Sequence, residues 1–299
     1  LYLLLVLLSG CSSSSSTSSS GSTATDITDA ILSNSSANCA DYVDSYKSTA
    51  MDVSRSVVFY GSLTISSSGG KCVFSTNDIP NHNFNDGGTP FATNVSTQTL
   101  SFEMTAYPEV AGSTTALGLG TDNAIFLNGV KLDILAAACY NVVDEKIGCN
   151  DISTPWRFDP MSPLNDFSTD SHNAHTQPDG AYHYHGSPAA LFYSSAAIVS
   201  PVIGFAADGF PIFGTYFNDG GTIRKATSSY QLKSGARVAI SSINPGGSYD
   251  GTYRDDYQYN MGSGDLDECN GMTVNGVYGY YITETYPWVL ACFKGTPDN

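Results

Sequence analysis

Four of the five histidines in this 299-residue chain fall between His172 and His185, in the segment SHNAHTQPDGAYHYHG. Successive side chains of a β-strand point to opposite faces, so His183 and His185 are expected to project on the same side. Their Cα atoms would lie roughly 6.5–7 Å apart, which lets two imidazoles hold one cation. The spacing therefore predicts a metal site, in preference to a strand whose histidines only satisfy hydrogen bonds.

A catalytic metal site on this strand needs a third protein ligand and an open position for water. His172 and His175 both lie just upstream of a Pro-Asp-Gly turn at residues 178–180 and could swing onto the same face, and His175 is the first choice as third ligand. His82 is the main alternative, followed by His172. Imidazole suits zinc and copper alike, and a set of four or five nitrogens would favour copper. The predicted cofactor is thus a transition metal ion, copper or zinc.

Residues around the histidines have other expected roles. Tyr182 and Tyr184 alternate with the histidines, so they should face away from the metal and pack in the core or in an interface. Three carboxylates, Asp170, Asp179 and Asp208, are candidates for orienting a ligating imidazole through its second nitrogen. Asp179 and Asp208 each precede a glycine, which equally predicts that they belong to turns.

The first residues predict export. The apolar run at residues 1–8 is far too short to span a bilayer, which takes ~20 residues, and it indicates a signal peptide over residues 1–10. The sequence LSGC at residues 8–11 resembles a bacterial lipobox, which implies cleavage before Cys11 and its lipidation. A Ser-, Thr- and Gly-rich stretch then predicts a flexible linker over residues 11–37. We expect a protein that is lipid-anchored at the outer membrane or the cell surface.

The cysteines agree with an oxidising compartment. Apart from Cys11, the chain has six cysteines, and an even number in an exported protein suggests three disulfides. Fifteen connectivities exist for six cysteines. Pairing each cysteine with its nearest neighbour along the chain gives Cys39–Cys72, Cys139–Cys149 and Cys269–Cys292.

The charge and composition exclude some partners. The formal net charge is −16, from 28 acidic and 12 basic residues, so the chain offers little to neutralise nucleic-acid phosphates. Charged residues make up only 13% of a chain rich in Ser, Thr, Gly and Tyr. This profile is typical of secreted β domains, and it predicts a mainly β single domain over residues 38–299, a β-sandwich with long loops in preference to a barrel.

Turn signals divide this domain into short strands. Residues 56–75 contain two β-branched and aromatic runs around Ser-Gly-Gly, which predicts a hairpin. Asn128-Gly129 and Asp208-Gly209 each separate two apolar runs in the same way. Residues 41–52 are the best early helix candidate, and residues 145–180 should form a long loop that supports the histidines.

The histidine segment resembles a known family. The sequence YHYHG at residues 182–186 is similar to the name-giving motif of the YHYH domain family. Motifs in the same order extend the resemblance over roughly residues 77–295, at positions 79–82, 170–180, 201–214, 266–271 and 286–295. Such domains occur in exported bacterial proteins, and their histidines imply a metal role without implying a reaction.

Other families with a His-x-His strand do not match. Multicopper oxidases need more histidines than this chain has, and α-type carbonic anhydrases place their third histidine downstream, where none follows His185. Cupins have a glutamate shortly after the motif, and residues 186–190 contain none. Two function classes remain open: a surface lipoprotein that binds a transition metal, and an adhesion or carbohydrate-binding domain with structural histidines. The Tyr-rich residues 248–259 would suit a glycan or small-molecule ligand of that second class.

Overall fold

The computed structural model describes residues 23–195 and 197–298, and within them the protein is mainly β. The expected signal peptide, Cys11 and nearly all of the Ser-rich stretch lie outside the described residues. The helical elements in the described part are two short 3-10 helices, Cys39–Tyr42 and Arg254–Asp256. None of its helices is long and apolar enough to cross a membrane.

The first part of the chain forms a five-stranded sheet in which each strand lies beside the next along the chain. Its strands are β1 (Thr25–Asp26), β2 (Asp44–Asp52), β3 (Val57–Ser68), β4 (Lys71–Thr76) and β5 (Leu100–Thr105). β1 runs parallel to β2, and the other neighbours are antiparallel. This sheet thus includes two residues, Thr25 and Asp26, of the segment expected to be a linker.

The prediction of a helix at residues 41–52 is wrong. Most of this segment is β2, which pairs with β3 along all nine of its residues. Ser48, Ala50 and Asp52 are buried, and they alternate with more exposed neighbours. A period of two residues belongs to a strand with one buried face, and long-range pairing with β3 outweighs a weak helical preference.

The remaining strands are short, and most of them belong to a second, larger sheet. They are β6 (Thr115–Ala116), β7 (Ala124–Phe126), β8 (Lys131–Leu132), β9 (Ala174–Thr176), β10 (Tyr182–Tyr184), β11 (Val202–Ala206), β12 (Pro211–Phe213), β13 (Tyr216–Asp219), β14 (Thr222–Lys225), β15 (Tyr230–Leu232), β16 (Tyr257–Tyr259), β17 (Gly271–Val274), β18 (Val277–Tyr281) and β19 (Cys292–Phe293). The larger sheet has eight strands in the order β17-β18-β12-β11-β7-β8-β10-β9. β10, which carries the YHYH motif, thus lies next to the edge strand β9.

The three predicted hairpins are confirmed. β3 and β4 meet at Gly69-Gly70, β7 and β8 at Asn128-Gly129, and β11 and β12 at Asp208-Gly209. Gly129 has φ +86°, and a Cβ atom there would lie 2.7 Å from the Thr76 hydroxyl oxygen. A larger residue would therefore meet both backbone strain and a clash with the five-stranded sheet.

One face of each sheet contributes to a shared core. Ile65 and Phe74 of the five-stranded sheet pack with Ile125 and Phe205 of the larger sheet, and the Phe74 and Phe205 ring centroids lie 6.1 Å apart. Neither sheet closes on itself. The observed arrangement agrees with the predicted mainly β, sandwich-like class, and a closed barrel is absent from the described residues.

Three disulfides join the cysteine pairs expected from nearest-neighbour pairing, Cys39–Cys72, Cys139–Cys149 and Cys269–Cys292. Disulfides are typical of exported and extracellular proteins. Cys139–Cys149 closes a loop of the chain close to the histidines, and we call this segment the 139–149 loop.

Candidate metal centre

Strand pairing brings the third histidine to the motif. β9 and β10 are antiparallel, and in their register His175 lies directly opposite His183. The two strands are joined at residues 177–181, where Gly180 takes φ +87° and donates its N–H to the Gln177 carbonyl. The turn predicted from Pro-Asp-Gly thus places His175 on the face that His183 and His185 share.

The three rings converge through their Nε2 atoms. His185 Nε2 lies 3.1 Å from His183 Nε2 and 2.9 Å from His175 Nε2. One nitrogen of each ring lies within 4.8 Å of the others, and the described residues contain no other such group of three or more His, Cys, Asp or Glu. Nitrogens bound to one tetrahedral zinc ion at 2.0–2.1 Å lie ~3.3 Å apart. The observed separations are close to that value, and we call these three residues the His triad.

Backbone carbonyls determine which nitrogens of the His triad carry protons. His175 Nδ1 lies 2.6 Å from the Phe167 carbonyl oxygen, and His183 Nδ1 lies 3.3 Å from that of Ala181. A carbonyl can only accept, so both Nδ1 atoms donate, and in the neutral rings both Nε2 atoms present a lone pair. Such a bond to the far nitrogen is how proteins orient histidines that ligate metals.

The Nε2 atom of His185 lies between the Nε2 lone pairs of His175 and His183. Its Nε2 atom carries at most one proton in the neutral ring, so it can donate to His175 or to His183 but not fully to both. Its Nδ1 atom is buried without a hydrogen-bond partner of good geometry. The neutral His triad therefore leaves converging lone pairs only partly satisfied, and a cation bound to all three Nε2 atoms would satisfy them.

Burial keeps the His triad neutral. His183 and His185 are only 3% and 2% exposed. Burial lowers the pKa of both rings well below 6.5, and it also lowers the pKa of His175. Neutral imidazole is the form that binds a metal ion. The three side chains are thus available as ligands at neutral pH.

Sequence reasoning missed Asp133, which lines the same cavity as the His triad. β8 runs parallel to β10, with Lys131 opposite His183, and the Asp133 N–H donates to the Tyr184 carbonyl. Gln177 Nε2 donates to Asp133 Oδ2 at 2.7 Å. Burial raises the pKa of the Asp133 carboxyl to about 6. Because β8 and β10 are about fifty residues apart in the chain, no local pattern could have indicated this neighbour.

A cavity of 480 Å³ opens onto the His triad. Asp133 and Gln177 line it near the histidines, and apolar side chains such as Leu135, Ile147 and Phe167 form other parts of its wall. Sites for small molecules commonly have ~300–1,000 Å³. A metal ion on the three Nε2 atoms would therefore face a space that can hold water or a small ligand.

The structure places His82 away from the triad, on the other side of β10. His82 Nδ1 donates to the Asn83 carbonyl at 2.8 Å, so its Nε2 atom accepts from the Tyr184 hydroxyl at 2.6 Å. Asn128 Nδ2 in turn donates to the same hydroxyl oxygen at 3.0 Å. Both nitrogens of His82 are therefore engaged in a buried hydrogen-bond chain.

His172 lies with His82 and not with the triad. The two ring centroids are 3.9 Å apart, and the buried His172 Nδ1 atom has no hydrogen-bond partner. Of the five histidines considered from the sequence, the structure thus brings together His175, His183 and His185.

The expected carboxylates have structural partners. Asp170 accepts from the Tyr182 hydroxyl and from the backbone N–H of Asn85, and Asp208 accepts from the Tyr280 hydroxyl. Asp179 accepts from the Ala181 N–H within the β9–β10 turn. The His175 and His183 rings are oriented by backbone carbonyls instead.

Tyr182 and Tyr184 are buried on the face away from the triad. The Tyr184 ring packs edge-on against Phe126, and the Tyr182 ring packs against Phe84. Their expected orientation away from the histidines is therefore observed.

The Tyr-rich residues 248–259 pack largely within the protein. Tyr253 contacts Phe158 at a centroid distance of 4.7 Å, and Tyr257 stacks on Tyr286 at 4.2 Å. These rings stabilise the surrounding loops.

Comparison with known proteins identifies a family. No curated protein and no solved structure matches the chain. The family model described as "YHYH protein" matches residues 101–295, about two thirds of the sequence, and this region contains the His triad and Asp133. The matched region includes β10, the strand that carries the YHYH motif, and the chain belongs to the YHYH protein family.

Proposed function

We propose that the protein binds one transition metal ion, zinc or copper, through the Nε2 atoms of His175, His183 and His185. The observation that carries this proposal is the convergence of three buried Nε2 atoms, two of which must present lone pairs because their Nδ1 atoms donate to carbonyls. Some catalytic zinc sites have this arrangement: three imidazoles bind the ion, and its fourth coordination position is open to water or substrate. The cavity beside the triad provides room for that fourth ligand.

Elemental analysis of the purified protein tests the proposal. After incubation with zinc or copper and gel filtration, we expect one ion per chain. The His183→Ala/His185→Ala double variant should lose it, because one imidazole cannot hold the ion at micromolar concentration. His82→Gln is the matched control: it removes a buried histidine outside the triad, and the ion should be retained.

Two results would contradict the proposal. Full occupancy in the double variant would exclude this ligand set, and a wild-type protein that takes up neither metal would exclude the function. In the second case, binding to a glycan array by the metal-free protein would favour the alternative of an adhesion or carbohydrate-binding domain.

We also propose that the protein is a lipoprotein anchored through Cys11. The lipobox-like sequence at residues 8–11 and the serine-rich stretch after it support this, and the three disulfides agree with export. When cells are grown with a radioactive fatty acid, the wild-type protein should be recovered in the membrane fraction with the radioactive label. The Cys11→Ser variant should be unlabelled, and equal labelling of both would refute the anchor.

A further inference from the structure

The cavity over the His triad is lined by polar and apolar side chains. Besides the histidines, its polar lining includes Asp133 and Gln177, which are hydrogen-bonded to each other, and Lys146, Asn150, Thr176 and Asp179. Leu119, Leu135 and Phe167 contribute apolar surface. An apolar cavity with a few convergent polar groups is the usual form of a site for a small organic molecule.

The 139–149 loop contributes one wall of this cavity. Its residues Lys146, Ile147 and Gly148 line the cavity, and Lys146 Nζ lies 4.9 Å from the centre of the Phe167 ring. The loop is held at its ends by the Cys139–Cys149 disulfide. Ile147 is 56% exposed although it is apolar, and it lies where a ligand in the cavity would cover it.

The cavity that the His triad lines also offers a hydrogen-bond acceptor, the Asp133 carboxylate. Gln177 Nε2 donates to Asp133 Oδ2, and Gln177 Oε1 accepts from Lys131 Nζ at 3.1 Å, which fixes the orientation of the amide. The Asp133 carboxylate is thus held in place on the cavity wall. A ligand with an O–H or N–H group next to its metal-binding oxygen would complement this arrangement.

We propose that the cavity binds a small acyl compound with an O–H or N–H group next to its metal-binding oxygen, such as a hydroxamic acid. Its oxygen would reach the metal ion, and its apolar body would lie against Ile147 and Phe167. This inference rests on the proposed metal site and adds the class of its ligand. It predicts that affinity depends on the apolar body as well as on the metal-binding group.

Two hydroxamates that differ only in this body test the inference. Zinc-loaded protein is titrated calorimetrically with acetohydroxamate and with benzohydroxamate, and zinc content is measured again after gel filtration. Burial of the phenyl ring should make benzohydroxamate bind about 10-fold more tightly. The Ile147→Ser substitution should weaken the binding of benzohydroxamate about 3-fold and leave the affinity for acetohydroxamate unchanged.

Ile152→Ser is the matched control. Ile152 is 51% exposed, lies in the same region of the chain and does not line this cavity, so its replacement should change neither affinity. Three results would overturn the inference without contradicting the metal site. They are equal affinity for the two hydroxamates, equal effects of the two variants on binding, and removal of zinc by both compounds. A protein that binds no zinc would overturn both proposals, and the elemental analysis reveals this before any titration.

Discussion

At the scale of single residues, the hydrogen bonds of the second ring nitrogen separate the histidines into two groups. His175 and His183 use Nδ1 to bond carbonyls and present Nε2 to a common point, whereas His82 has both nitrogens engaged. The alternation of a strand was sufficient to predict that His183 and His185 share a face. It could not show which face His82 would reach, because that contact joins residues 102 positions apart.

The two faces of β10 should be separable by mutation. Tyr184→Phe removes the hydroxyl that links His82 to Asn128. The buried His82 Nε2 atom then has no partner, and Asn128 Nδ2 keeps only its bond to Asn81 Oδ1. We expect the free energy of unfolding to fall by about 1–3 kcal/mol. Metal content should remain one ion per chain, because the His triad lies on the opposite face. Urea unfolding and elemental analysis measure the two effects, and loss of the ion would show that the faces are coupled.

Acid should destabilise the metal-free protein through His82. Burial, together with the neighbouring His172, lowers the pKa of His82 from 6.5 to about 3, although Asp86 acts in the opposite direction. Below pH 6.5 the unfolded chain therefore binds a proton that the folded protein does not bind. The free energy of unfolding should fall by up to about 1.4 kcal/mol per pH unit as the pH decreases from 6.5 towards 3.

The His82→Gln variant isolates this contribution. A glutamine can still accept from the Tyr184 hydroxyl but does not titrate, and the buried triad and carboxyl groups are the same in both proteins. Urea unfolding at pH 7, 6, 5 and 4 should give a smaller pH dependence for the variant. Parallel curves for the two proteins would mean that His82 does not contribute.

At the scale of elements, turn signals in the sequence predicted the pairing of antiparallel strands but not the parallel pairing of β8 with β10. The β3–β4, β7–β8 and β11–β12 hairpins were all indicated by glycine-containing turns. The parallel pairing of β8 with β10 has no such signal, because parallel strands are joined by long connections. That pairing places Asp133 in the lining of the cavity at the His triad, and no local sequence pattern indicates it.

Opening the disulfide of the 139–149 loop should lower the stability of the protein without releasing the metal ion. Cys139→Ala/Cys149→Ala removes the disulfide that closes this loop, for which loop-closure entropy gives a loss of about 2–3 kcal/mol. The His triad lies on and directly after β9 and β10, so zinc should still bind at one ion per chain. Calorimetric unfolding and elemental analysis test both statements, and loss of zinc would show that the loop positions the triad.

At the scale of the whole molecule, the family match and the folded unit have different bounds. The match begins at residue 101, within β5, whereas β1 to β4 lie before it. Those strands are joined to the matched region by β4–β5 pairing and by a hydrogen bond from the Thr76 hydroxyl to the Gly129 carbonyl. The composition predicted one mainly β domain, but only the pairing shows that the first sheet forms part of the same core.

A fragment that follows the family bounds should therefore fail to fold normally. Residues 101–298 would leave β5 without its partner and would expose Ile125, Val202 and Phe205, which pack against the first sheet. An unpaired edge beside an exposed apolar face favours aggregation. We expect this fragment to bind a hydrophobic dye and to unfold without cooperativity, whereas residues 23–298 should unfold in one sharp transition. Near-ultraviolet circular dichroism with a thermal scan separates these outcomes. A cooperative transition of the shorter fragment at the same temperature would mean that the matched region folds on its own and that the first sheet only covers it.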